Sequence, residues 1–120
     1  MSLLALRDAL EATGIPAYHF RAAKENERYI VWSEIGKSQY SRIANTETLW
    51  ADDHMANQTI GGLIDYFTPV EYDKTVDMLQ QVYYDIGLSY SLVHVFWDED
   101  VNRVHYQWAF SMPVGDGIYG

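Results

Sequence analysis

Four histidines, His19, His54, His94 and His105, are the only nitrogen ligands or neutral-pH bases in the chain, and no two of them share the HExxH spacing that presets a zinc site on a helix. The chain has no Cys, which excludes thiolate nucleophiles, disulfides and every Cys-based zinc or iron–sulfur centre. Asp52-Asp53-His54 combines ligand types, but adjacent residues in a polar stretch point apart unless the backbone is specially turned. Asp98, Asp100 and Asn102 match the first ligand positions of a calcium loop, yet Arg103 stands where the loop needs glycine and Ala109 where it needs a bidentate Glu. The stretch reads instead as a charged hairpin tip that discourages edge-to-edge pairing. Neither GxSxG, GxxxxGK[ST] nor a GxGxxG turn occurs, so no serine nucleophile or phosphate loop can be named. The residues predict a protein that is not an enzyme and needs no cofactor or metal.

Aromatic side chains are the one excess: 10 Tyr, 4 Trp and 4 Phe in 120 residues. Trp97, Trp108, Tyr106, Tyr72 and Tyr83 fall at periodic positions and are expected to fill a core. Tyr40 and Trp50 have no periodic partner and sit in a polar stretch, where aromatics are favoured contact residues at protein interfaces. The expected partner-binding set is Tyr40, Trp50, Asp52, His54 and Met55, within a long polar loop near 36–58.

The elements that must position these residues follow from hydrophobic period. Leu3, Leu6 and Leu10 form one stripe of a helix over 2–13, stopped by Gly14 and Ile15-Pro16. A connector follows from Ala17 to Arg28. Tyr29-Ile30-Val31-Trp32 and Thr59 to Phe67 read as strands, with Gly61-Gly62 marking a bulge or a close backbone approach. Thr68-Pro69-Val70-Glu71 is a capping-box signature, predicting a helix whose buried stripe is Tyr72, Val76, Leu79, Tyr83 and Ile86 and which ends before Gly87. Residues 90–97 and 103–111 make an antiparallel hairpin with Trp97 facing Val104, Val95 facing Tyr106 and Val93 facing Trp108. His94, His105 and Gln107 then share the other face, the two histidines diagonally offset. Residues 112–120 read as an irregular tail. The fold class is α+β: a single domain over 1–120, with an antiparallel sheet of about four or five strands and two helices packed on one face.

Eight basic residues against 17 acidic ones leave a formal charge of −9, which disfavours phosphate-backbone binding by counterion release. No run approaches 18 apolar residues, so no membrane span is expected, and Met1 to Asp8 lacks the features of a signal peptide. Acidity fits a surface that DNA passes without sticking, or a decoy of nucleic acid.

Several segments in order resemble the small tail-completion or tail-terminator proteins of long-tailed bacteriophages and prophages. They are Leu10 to Pro16 followed by Tyr18-His19-Phe20, Tyr29 to Trp32, Ala51-Asp52-Asp53, Ile64 to Thr68, Tyr72-Asp73, Asp98-Glu99-Asp100 and Val104 to Trp108. Asp53 stands where Asn is expected after Ala-Asp. The resemblance implies an α+β subunit that assembles as a ring of six copies at the head-proximal end of the tail, stops tube growth and offers a surface to the head connector. It implies no cofactor. The implied partners are copies of the same chain, tail-tube protein and head-connector protein, and the implied location is the host cytoplasm during assembly and then the virion tail. The rival expectation is an acidic binding protein of the immunity or nucleic-acid-mimic type. A third is a small enzyme using His94 and His105.

Overall fold

A computed structural model describes residues 2–35, 58–115 and 117–119. Its elements in chain order are α1 (Leu3–Glu11), β1 (Ala17–His19), β2 (Tyr29–Glu34), β3 (Gln58–Thr68), α2 (Thr75–Asp85), β4 (Ser89–Asp98) and β5 (Arg103–Gly115). The five strands form one sheet in the order β1-β2-β3-β5-β4, antiparallel except for the parallel β1–β2 pair. Both helices lie on one face, as the alternation requires: Leu3, Leu6 and Leu10 of α1 and Leu79 and Tyr83 of α2 share a core with Ile30, Trp32, Ile64, Tyr66, Trp108, Phe110 and Met112. Each is one residue in two along its strand, so one side of the pleat is buried under helices. The fold is the α+β arrangement expected.

Ser2 caps α1 by accepting from the Ala5 N–H at 3.2 Å, and Gly14 ends the segment at φ +82°, a conformation that costs a residue with a Cβ about 1 kcal/mol or more. At Gly62 the expected close approach is present. A Cβ there would collide with the Ser33 carbonyl oxygen and lie 2.7 Å from the Phe110 ring. The register shift in β3 falls elsewhere, between Gln58 and Thr59.

Three expectations are corrected. The connector after Pro16 contains β1, whose three residues pair with Ile30 to Trp32. The capping box does not start the second helix. Thr68 remains in β3, where its hydroxyl accepts from the Val70 N–H at 3.1 Å and donates to Asp73 at 2.7 Å. Asp73 takes over the helix start by accepting from the Thr75 N–H at 2.9 Å. Tyr72 leaves the buried stripe, 88% exposed at φ +58°, while Val76, Leu79, Tyr83 and Ile86 keep their places in or against the core. Finally, residues 112–115 extend β5, with Met112 and Val114 buried. Pro113 is tolerated because β4 begins opposite Ser111, so β5 has no β4 neighbour beyond that point. Past the strand, the Leu3 N–H donates to the Ile118 carbonyl at 2.8 Å, and the Tyr119 hydroxyl donates to Glu34 at 3.2 Å.

Candidate functional site

The expected partner-binding residues Tyr40, Trp50, Asp52, His54 and Met55 all lie outside the described residues. What the described residues bring together is a strip along β4. The strand follows Gly87, whose φ of +78° turns the chain out of α2, and Leu88, which anchors the turn in the core. Among the described residues β4 pairs with β5 alone, so its other side presents backbone N–H and C=O groups with no strand partner there.

Length explains why its side chains are bare. α2 has 11 residues, about 16 Å at 1.5 Å each, whereas the 10 residues of β4 extend about 33 Å. The helix covers the beginning of the strand, where Tyr83 packs edge-on against Tyr90 and Trp108 at ring separations of 5.3 and 5.2 Å. Beyond it the strand is uncovered. Leu92, Val93, Val95, Phe96 and Trp97 are 45, 39, 50, 45 and 53% exposed. The hairpin register holds at Trp97–Val104 and Val95–Tyr106, but Leu92, not Val93, faces Trp108. Val93 is the extra residue of a bulge between Leu92 and His94. Tyr90, Leu92, Val95 and Trp97 therefore share the helix-side face, and the expectation that Trp97 fills the core is corrected. Its face was read properly, but nothing among the described residues covers it.

A shallow cavity of about 340 Å³ adjoins the strip, lined by Asp77, Gln80, Gln81, Tyr84 and Tyr90. Gln80 accepts from the Trp108 indole N–H at 3.0 Å, and Gln81 donates to Asp85 at 2.8 Å, so both amides already have partners. Among the described residues the walls hold no His, Lys or Arg to act beside Asp77.

On the opposite face His94 and His105 are diagonal neighbours, as expected, with His94 opposite Gln107 and Phe96 opposite His105. His105 is not solvated. Its Nε2 lies 2.8 Å from Asp65 and its Nδ1 3.3 Å from Asp98, and its ring contacts Phe67 and Phe96 with centroids 4.2 and 4.8 Å away. Because the two carboxylates engage opposite ring nitrogens, they do not converge on a point a metal could occupy. No group of three or more His, Asp or Glu suited to a metal ion occurs among the described residues.

Asp73, a strongly perturbed ionisable group, is structural. Burial opposes ionisation of Asp73, but donation from the Thr75 N–H and from the Tyr66 and Thr68 hydroxyls prevails and holds its carboxyl well below the usual range. Arg28 Nε adds a contact at 3.1 Å. Burial first, and then the hydrogen bond to this carboxylate, pushes the Tyr66 hydroxyl up to about 12. Perturbed groups often mark catalytic centres, but a carboxylate already holding four donors is too weak a base and too crowded to accept a proton. A comparable pin joins β1 to β2. Burial disfavours the Glu34 carboxylate, yet His19 at 2.6 Å, its own backbone N–H and Tyr119 bring it below its usual range.

Sequence reasoning offers strand edges as docking surfaces without singling out β4, and it misses the Asp73 hub. The strip had a signal: the run from Leu92 to Trp97 contains no Lys, Arg, Glu or Pro, the residues by which edge strands are normally guarded. No protein-family model, curated protein or solved structure matches this chain.

Proposed function

We propose that this chain is a non-enzymatic assembly subunit of a phage or prophage tail, ending tail-tube growth and joining the tail to the head as a ring of subunits. The observation that carries the reading is the β4 edge, a long strand unpaired among the described residues and carrying five exposed large apolar side chains, which is the equipment of a protein that docks. The segments that resemble tail-completion proteins, taken in sequence from Leu10 to Trp108, supply the particular setting.

In this reading a ring of six copies closes through a heterologous contact, one patch meeting a different patch on the neighbour. The β4 edge and the 36–58 segment are the surfaces offered to neighbours, to tail-tube protein and to the head connector. The −9 charge, multiplied around a ring, gives a lumen that DNA traverses without being trapped. No helix among the described residues is long and apolar enough to cross a membrane. The subunit works in the host cytoplasm and then in the virion tail.

The test is electron microscopy of tails assembled with and without the protein. Tails of uniform length carrying a terminal ring, against overlong tubes in its absence, support the reading. Tubes of unchanged length with no bound protein refute it. A second reading, an acidic inhibitor of the immunity or nucleic-acid-mimic type, draws on the same charge and on the exposed Glu99-Asp100 tip. Tight binding to a nuclease together with no affinity for tails would favour it.

A further inference from the structure

We infer that in the free protein the β4 edge is covered by the β4 edge of a second copy, related by a two-fold axis at Val93 and His94. The inference stands without the tail reading. Within that reading, the second copy occupies the edge that an assembly partner later takes.

Length selects the occupant. Among the described residues the sheet has two open edges, and β1 at the far one offers only Ala17–His19, so it cannot match the 10 residues of β4. The long edge among the described residues that matches β4 is β4 itself.

Side chains agree with an antiparallel two-fold pairing. Because the bulge shifts the alternation, Tyr90 and Leu92 lie on the same face as Val95 and Trp97. Placing the axis between Val93 and His94 sets Leu92 of each copy opposite Val95 of the other, and Tyr90 opposite Trp97, with all four on one face. The pairing also sets Ser91 opposite Phe96 and Ser89 opposite Asp98, so no charge meets a like charge. A bulge in mid-edge ordinarily discourages pairing. Here both bulges fall on the axis, leaving two regular ladders, each formed by one copy's Ser89–Leu92 and the other's Val95–Asp98.

Area agrees as well. At the ~150–250 Å² that a large side chain offers, the exposed fractions of the five apolar residues leave about 450 Å² per copy. Edge pairing buries part of this area from each copy together with the edge backbone, which puts the contact at the weak end of interface sizes. Both copies carry −9, so screening by salt tightens the contact.

Sedimentation velocity on the full chain from 5 to 500 µM, at low and at 300 mM NaCl, is the test. The expected result is a monomer–dimer equilibrium that tightens several-fold with salt. Both substitution sites are about half exposed, so each variant should keep its fold, which circular dichroism verifies. The double substitution Leu92→Lys with Val95→Lys puts like charges opposite each other twice and should weaken dimerisation at least 100-fold. Leu92→Glu with Val95→Lys puts opposite charges together at the same two places and should restore it. Three results overturn the inference: a monomer at every concentration and salt, dimerisation indifferent to the Lys pair, or a folded Glu/Lys variant that stays monomeric. A monomer that instead binds a strand of another protein overturns it too. Tail-length control is measured separately, so either reading can fail alone.

Discussion

Replacing Asp73 by Asn tests whether one carboxylate fastens β3, the loop after it and α2 together. Its Oδ2 takes hydrogen bonds from Tyr66 at 2.7 Å, Thr68 at 2.7 Å and Arg28 at 3.1 Å, while Oδ1 takes the Thr75 N–H at 2.9 Å. Asn would keep its carbonyl oxygen on Thr75, leaving an NH2 group to face three donors. The two hydroxyls can rotate to accept from it; Arg28 cannot. Hydrogen bonds to a buried charge are worth about 1.5–3 kcal/mol each, but they share an acceptor and the hydroxyls adapt, so the losses do not add. Arg28 is 39% exposed, so solvent screens its share. We expect D73N to cost about 2–4 kcal/mol at pH 7, a large part of the roughly 6–15 kcal/mol of such a domain. Arg28→Met should cost clearly less than D73N, because solvent screens the exposed guanidinium.

The pH dependence has a definite sign. A carboxyl held below its unfolded value of about 3.9 contributes stability that is present above that pH and is lost as pH falls toward the folded value. The gap between wild type and D73N should therefore be flat from pH 7 to about 5. Below pH 4 it should shrink by up to about 1.4 kcal/mol per pH unit. Urea denaturation followed by far-UV circular dichroism at pH 7, 5, 4 and 3 measures it. A gap under about 0.5 kcal/mol at pH 7, or one unchanged at pH 3, would refute the hub argument.

Three further variants probe separate links in the fold. The buried Tyr83 hydroxyl has no partner among the described residues, so Tyr83→Phe should be neutral or stabilising by up to about 1 kcal/mol; a loss above that would mean the hydroxyl is bonded. Gly62→Ala should destabilise by about 3 kcal/mol or more, because its Cβ meets backbone and an aromatic ring between paired strands; a midpoint within error of wild type would place β2 and β5 further from β3. Leu6→Ala, at the centre of the α1 stripe, should cost about 2–4 kcal/mol by the same assay, and a cost below 1 kcal/mol would mean that α1 is not seated on the sheet.

Where a residue's role depends on its own period, the sequence was sufficient. Leu3, Leu6 and Leu10 fall on one side of any helix, and alternation alone placed Val95, Trp97, His94 and His105 on their correct faces. Failures came where distant residues decide. Thr68-Pro69-Val70-Glu71 is a good local cap, but Asp73 is fixed by Tyr66 and Arg28, and that network moved the helix start to Thr75. Leu92 and Val93 are both apolar, so nothing in the run betrays the bulge. Period says which way Trp97 points, but whether a helix reaches far enough to cover it depends on three-dimensional lengths. The Tyr40 to Met55 segment was singled out by composition, and its residues lie outside the described part of the fold.

The bond from Leu3 to Ile118 has a practical reach. It gathers the first helix and the final residues beside Glu34 and the β1–β2 border, on the opposite flank of the sheet from Trp97. A fluorophore attached to a side chain of either of these segments would thus emerge on the far side from the strip. Such a label could report on complexes formed at β4 without standing in their way.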